Sequence, residues 1–306
     1  LLLMGLASFS LVLSFTSFLF RPSVSSPSID ASRSATETPA GGGRCCQGIE
    51  NTELWGDAVK WGSEFKLNSP EECCEACKGM CPDRGGACRC NTWVFCGNKA
   101  NCGDKFGECW LKHQKDSLAS GSPGNGGGMW TSGQIFGQGE GIVALETEYG
   151  TLRIKLLPEC SPRSVAYILE LLSQRHCAGC HFYRAEGRGK SWDDDGNHIN
   201  SASLGPPFGL IQGTFESDGE PLAGIRSEHC PGVSRGSVAW VGSGPEFFIS
   251  LANHPEWNKA YTVFGTVVPE DMAVAEGLAE MPTKEEVWNK IHVRVLEKIV
   301  PLKIKR

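Results

Sequence analysis

Eleven of the chain's fifteen cysteines lie between Cys45 and Cys109, with only Cys160, Cys177, Cys180 and Cys230 beyond them. Cysteine at that density in a short span reads as a disulfide framework, and so as an oxidising compartment. Eleven is odd, so at least one thiol of the stretch is free or pairs elsewhere. Cys74 and Cys77 also have a Cys-x-x-Cys spacing, which makes a zinc module the alternative. No second such pair and no histidine pair follows at finger spacing, so no metal is expected.

The start of the chain points to the same compartment. Leu1 to Phe20 carries no charged residue, and twenty apolar residues in a helix span about 30 Å, enough to cross a bilayer. We read residues 1–20 as a signal anchor in the membrane, with a cleaved signal peptide as the alternative. The Ser/Pro/Gly/Thr-rich residues 21–43 are expected to form a disordered tether. The expected location is the secretory pathway, with luminal domains on a Golgi or ER membrane, or the extracellular space. No Asn-x-Ser/Thr acceptor occurs to corroborate luminal exposure. A net charge of −6 offers no basic footprint for nucleic acid.

Two domains follow, at 44–134 and 141–306. The glycine-rich run from Gly121 to Gly128 resembles a linker, but Met129 to Gly133 after it suits a returning last strand of the first domain. Ser69-Pro70-Glu71-Glu72 supplies an N-cap, a first-turn proline and a capping-box glutamate for a helix. Cys73 and Cys77 share one face of that helix at i, i+4, so disulfides are expected to pin it to nearby strands, with Asn91–Phe95 the best candidate; Cys109–Lys112 reads as another short strand. In the second domain Val143, Leu145 and Thr147 alternate, Tyr149-Gly150 turns, and Leu152, Ile154 and Leu156 alternate again, which is a hairpin. Ser161-Pro162 opens a helix with apolar Val165, Ile168, Leu169 and Leu172 on one side. Strands are expected at Phe247–Leu251, Tyr261–Phe264 and Ile291–Val295, and a second helix over Pro269–Met281. The order suits a mainly β, closed antiparallel barrel with two helical caps rather than a βαβ repeat.

Five motifs in sequence now carry a resemblance. They are Gly150 to Pro158 with Ser161-Pro162-Arg163-Ser164-Val165, His181-Phe182-Tyr183-Arg184, Leu210-Ile211-Gln212-Gly213, Gly236 to Ile249, and Trp257 with Tyr261-Thr262-Val263-Phe264-Gly265. Together they resemble the cyclophilins over about 165 residues, from Gly141 to Arg306. That resemblance implies an eight-stranded barrel capped by two helices, and cis/trans isomerisation of X-Pro bonds in proline-containing polypeptides without a cofactor. It also implies catalytic roles for Arg184, Gln212 and Phe248. Arg184 faces the prolyl amide, Phe248 floors the proline pocket and Gln212 holds substrate backbone. Leu210, Trp257 and Tyr261 border the substrate, and Glu246 and Gly242 occupy positions where the family binds substrate backbone.

This chain departs from the family pattern between Gly244-Pro245 and Phe247-Phe248, where Glu246 stands alone in place of an NTNGSQ-like loop. Glu246 is expected near Arg184, where an ion pair would weaken the arginine's action on substrate. Gly242 offers no side chain at its position. An insertion of about twenty residues between Arg184 and Gln212 is expected to lid or displace the groove. Its Asp193-Asp194-Asp195-Gly196-Asn197 run reads as a solvated acidic loop rather than a calcium loop, which places its glycine later and ends in glutamate. Cys177-Ala178-Gly179-Cys180-His181 matches a c-type haem pattern but falls at a strand start, so a disulfide or redox role is the better reading. Residues 44–134 are similar to PAN/apple modules, a small disulfide-rich α+β fold, through the Cys73-x-x-x-Cys77 helix and Cys109-Trp110-Leu111-Lys112. That similarity implies a protein or glycan ligand for the module, with a disulfide-stapled spacer as the alternative.

Overall fold

The computed structural model describes residues 45–83, 85–119, 128–174, 177, 179–215, 224–228 and 231–306. The expected apolar anchor, the tether and most of the glycine-rich run lie outside these residues. Among the described residues no helix is long and apolar enough to cross a membrane.

Five short antiparallel strands build the first sheet: β1 (Ile49–Glu50), β2 (Asp57–Lys60), β3 (Thr92–Cys96), β4 (Cys109–His113) and β5 (Trp130–Gln134). Their order is β1-β5-β3-β4-β2, so β5 does return beside the module's central strand. Helix α1 (Pro70–Lys78) starts where the capping residues require it: the Ser69 hydroxyl accepts from the Glu72 amide, and the Glu72 carboxylate accepts from the Asn68 amide at 3.0 Å. Its buried face is made of Cys73, Cys74 and Cys77. These residues bridge to Cys109 on β4, to Cys46 ahead of β1, and to Cys90 ahead of β3. Cys74 and Cys77 thus sit in two different disulfides. Cys81–Cys88 and Cys96–Cys102 complete the framework. Cys45 is disulfide-bonded too, and because the other ten cysteines pair among themselves, its partner lies outside the stretch. Trp93 is fully buried at the centre. Gly133 on β5 makes room for it, since a Cβ there would lie 2.6 Å from the indole.

A second, ten-stranded antiparallel sheet follows. In chain order it contains β6 (Ile142–Thr147), β7 (Gly150–Leu156), β8 (His181–Glu186), β9 (Leu210–Thr214), β10 (Ser237–Trp240), β11 (Glu246–Ser250), β12 (Val263–Val267), β13 (Thr283–Trp288), β14 (Ile291–Pro301) and β15 (Lys303–Lys305). Their spatial order is β13-β14-β8-β9-β11-β10-β12-β7-β6-β15. Only Leu302 separates β14 from β15, so one run of chain pairs first with β8 and then with β6. Leu152, Ile154 and Leu156 point inward as their alternation requires. They join Phe182, Trp240, Phe247 and Phe264 in the core, with Val165, Ile168 and Leu169 of α3 (Pro162–Gln174) and Met272, Ala275 and Leu278 of α4 (Met272–Ala279). Glu228 binds the first turn of α3, accepting from the Arg163 and Ser164 amides and the Ser164 hydroxyl at 2.9, 3.1 and 2.7 Å.

Several details differ from the sequence expectation: the sheet has ten strands rather than eight, because the β13–β14 hairpin and β15 extend it, and the strand expected at Tyr261–Phe264 runs Val263–Val267. The segment at Pro269 opens with a 3-10 turn through Asp271 before α4 begins, while the Asp271 carboxylate takes the Arg153 guanidinium and amide. The last strand is longer than Ile291–Val295. It is also half of a hairpin with β13, whose charged sequence Thr283-Lys284-Glu285-Glu286 hides the period of a strand. Asn289 and Lys290 turn this hairpin with φ of 48° and 70°, the paired positive values that a tight hairpin turn needs.

The two sheets are tied directly. Lys155 on β7 donates to the carbonyls of Phe136, Gly137 and Glu140 at 3.0, 2.5 and 2.6 Å, filling all three ammonium donors. Arg306 pairs with Asp116 at 2.7 Å, and the Gln47 amide donates to the Glu159 carbonyl.

Cys160 is the free cysteine among the described residues and is 5% exposed. Burial pushes its thiol up to about 12, so near pH 8 it stays protonated and unreactive. The native protein is therefore expected to leave Cys160 unmodified by an alkylating reagent at that pH, and denaturant to expose it. Peptide mass spectrometry after alkylation checks this; rapid native modification would contradict the packing.

Candidate active site

Register assembles the site. Arg184 on β8 lies opposite Gln212 on β9, and Gln212 lies opposite Phe248 on β11. The three residues form one row across three adjacent strands, and residues in such a row project from the same face. Leu210 shares that face two positions along β9. A bulge adds to it: the β8–β9 register shifts between Phe182 and Arg184, leaving Tyr183 as the extra residue. Strict alternation would send Tyr183 away from Arg184, but a bulge re-aims a side chain. Both residues border the same cavity.

That cavity is about 470 Å³. One side is apolar, with Phe248 as its floor. Trp257 and Tyr261 meet the Phe248 ring edge-on, at centroid distances of 5.7 and 5.1 Å, and Leu210 and Val241 fill the margins. The other side is formed by Tyr183, Arg184, Gln212, Glu246 and Trp288. Of the residues expected from sequence, Arg184, Gln212, Phe248, Leu210, Trp257, Tyr261 and Glu246 all border the cavity. Gly242 does not. It turns the chain at φ 61° with no atom within 4 Å of a Cβ placed there, and Val241 takes the place by the cavity.

The arginine's partner is also different from the expected one. Arg184 Nε and Nη2 both lie 2.8 Å from Glu186 Oε1, and Nη1 donates to Gln212 Oε1 at 2.9 Å. The Glu186 side chain is 1% exposed and that of Arg184 is 12% exposed. Glu246 makes no ion pair with Arg184; its Oε1 accepts from the Tyr183 hydroxyl at 2.9 Å. The strand explains this: residue 186 is two positions from 184 on β8, whereas Glu246 sits across the sheet beside Thr214. The Tyr183 hydroxyl accepts in turn from Gln212 Nε2. Burial, with the Glu246 carboxylate beside it, holds the Tyr183 phenol well above its ordinary value. A continuous chain therefore runs Glu246–Tyr183–Gln212–Arg184–Glu186.

The insertion between Arg184 and Gln212 acts as a buttress. Its last residues bring Phe208, whose amide donates to Glu186 Oε2 at 2.8 Å and whose ring lies 5.8 Å from the Arg184 guanidinium. The Phe208 carbonyl accepts from Nε2 of His254, a fully buried ring stacked on Trp257 at 3.6 Å and 3°. The other nitrogen of His254 faces Glu256 at 2.7 Å. Burial lowers the His254 pKa, and Glu256 opposes that shift. Trp192 of the insertion meets His254 edge-on at 4.7 Å. The acidic run closes on itself, with Asp193 accepting from the Asn197 amide. Cys177 and Cys180 form a disulfide ahead of β8.

Sequence reasoning missed Glu186, Phe208, His254 and Trp288. An acidic residue two positions after Arg184 on a strand was a readable signal for the first. Nothing in the sequence marks the others, because each reaches the site through tertiary packing.

Chemically, the apolar side suits a small saturated ring. At its border stands a guanidinium with three donors occupied, leaving one N–H on each terminal nitrogen.

The model of the family "Cyclophilin type peptidyl-prolyl cis-trans isomerase/CLD" matches residues 142–300. The peptidyl-prolyl cis-trans isomerase-like 3 proteins of Gallus gallus and Homo sapiens are each 26% identical over 160 residues, covering 50% of this chain and 92% of theirs. A cyclophilin-type peptidyl-prolyl cis-trans isomerase of Cryptosporidium parvum is similar in structure, with a TM-score of 0.39 and 17% identity over 54% of this chain and 95% of that one. With its strand register, its row of Arg184, Gln212 and Phe248, and a family match across half its length, the chain belongs to the cyclophilin-type peptidyl-prolyl cis-trans isomerase family.

Proposed function

We propose that this protein catalyses cis/trans isomerisation of X-Pro bonds in polypeptides of the secretory pathway. The observation that carries the reading is the row Arg184–Gln212–Phe248, which sets a guanidinium beside an aromatic pocket of prolyl size. Rotation about an X-Pro bond faces a barrier of roughly 18–20 kcal/mol from amide resonance. At the top of that barrier the prolyl nitrogen is pyramidal and its lone pair is free to accept a hydrogen bond. A pocket that holds the ring on Phe248 and directs an Arg184 N–H at that nitrogen stabilises the twisted state over either planar isomer. Gln212 fixes the guanidinium and offers substrate a polar neighbour. No covalent step is involved.

We read residues 44–134 as a PAN/apple-like module that brings protein or glycan partners to the isomerase of residues 141–306. The cysteine-bearing helix bridged to the Cys109-Trp110-Leu111-Lys112 strand supports this. The disulfide framework and the apolar residues 1–20 support a luminal or extracellular site, with residues 1–20 as anchor and 21–43 as tether.

A second reading has its own observation. Glu186 holds two of the guanidinium donors in a buried ion pair, which draws positive charge away from the prolyl nitrogen. In that reading the groove captures proline-containing segments and turns them over poorly.

Exchange spectroscopy of a short Ala-Pro peptide with the full protein separates the two. Catalysed exchange should fall about a hundredfold in Arg184→Ala, the scale of losing a transition-state donor. Phe248→Ala should weaken peptide binding about tenfold through lost ring burial. Peptide binding with uncatalysed exchange would instead establish capture.

Glu186→Gln keeps an acceptor for Arg184 and removes its counter-charge. We expect exchange roughly threefold faster, with a stability loss of roughly 3–5 kcal/mol in denaturant unfolding, because the buried guanidinium loses its counter-charge. An unchanged exchange rate would show that Glu186 only positions the guanidinium.

A further inference from the structure

The proline pocket takes up one side of the cavity and leaves the other, beyond Arg184, without an assigned occupant. This second side has an aromatic wall and a charge. Trp288, at the end of β13, lies 5.5 Å from the Arg184 guanidinium, and its centroid is 6.2 Å from that of Tyr183. Its indole N–H is held by Glu286 at 3.0 Å, and the tight Asn289–Lys290 turn fixes the hairpin that carries it. Tyr183 is the bulge residue that alternation would have sent elsewhere, and its hydroxyl holds Glu246 at the cavity mouth.

Arg184 is answered by Glu186, and Glu286 by Lys284 at 2.9 Å. Glu246 is exposed and has no ion pair among the described residues. Its Oε1 faces Tyr183, leaving the other carboxylate oxygen for a ligand. A carboxylate in a cavity lined by two aromatic rings suits an extended cation, which gains from the rings and from the charge together.

We propose that Trp288, Tyr183 and Glu246 form a flanking subsite that selects a lysine or arginine next to the proline, so that the preferred substrates are basic proline-containing segments. The proposal rests on the groove binding proline segments as described above. It gives a role to the lone Glu246 that replaces the longer loop, and to the β13–β14 hairpin.

The test is binding of three matched peptides to the full protein at low salt. Each has the same Ala-Pro centre, flanked by lysine, alanine or glutamate, and each is paired with a control in which alanine replaces the proline. The lysine peptide should bind about five- to tenfold more tightly than the alanine peptide, and the glutamate peptide more weakly than either. The lysine-to-alanine ratio should shrink as salt screens the carboxylate. In Glu246→Gln, which keeps an acceptor for Tyr183, that ratio should fall to about one, and Trp288→Ala should lower it by at least half. Proline-dependent binding with no lysine preference, or with one that Glu246→Gln leaves intact, overturns the subsite and spares the groove. A preference for an aromatic flank does the same. Equal behaviour of the proline peptides and their alanine controls overturns both.

Discussion

A guanidinium that is nearly removed from water needs a counter-charge and fixed acceptors, and much of the site is arranged around supplying them to Arg184 while leaving two of its N–H groups open. Glu186 supplies the charge from two positions along the same strand, and it is itself more deeply buried than the arginine. Removing either partner leaves an uncompensated charge in a low-dielectric surrounding, which costs stability. The insertion then fits around the pair, with the Phe208 amide on the second Glu186 oxygen and the Phe208 carbonyl on His254. His254 in turn carries Trp257 by stacking. The polar and apolar sides of the cavity are therefore coupled through Glu186, Phe208 and His254, none of which borders the cavity itself.

The same coupling defines what the arginine can do. A free guanidinium would present its full charge to a substrate, whereas this one has its orientation set by Glu186 and Gln212 before any ligand arrives. Preorganisation favours transition-state stabilisation, because no reorientation is needed during the reaction. Charge neutralisation works against it. The balance between the two separates an isomerase from a proline-binding protein on the same fold.

Two kinds of cohesion coexist in the chain. Around Cys45 to Cys109 the interior is cysteine with a few aromatics, and disulfides on successive turns of α1 set the helix on its sheet. In the second sheet, aromatic and aliphatic packing between strands and two helices does the same work. Where the two meet, Lys155 places its ammonium among three carbonyls of the connecting segment. An ammonium whose three donors are filled satisfies those three backbone carbonyls and holds the connecting segment against β7.

Much of this was legible from the sequence. Period-two alternation marked β6 and β7, the Ser69-Pro70 cap marked α1, and the Arg184, Gln212 and Phe248 motifs marked the row, because each rests on local spacing that survives folding. The β13 strand was not legible, because its charged residues break the alternation and only pairing with β14 makes it a strand. The partner of Arg184 was placed at Glu246 across the sheet, although the sequence held Glu186 two residues away. Which carboxylate comes within reach depends on register and on the Tyr183 bulge. Sequence by itself determined the main hairpin and both helices of the second domain, a cysteine-rich first domain, and the identity of the central row. Tertiary structure alone decided that Glu246 stays unpaired at the cavity mouth and which aromatic rings close the cavity, because those contacts join residues far apart in the chain through strand register.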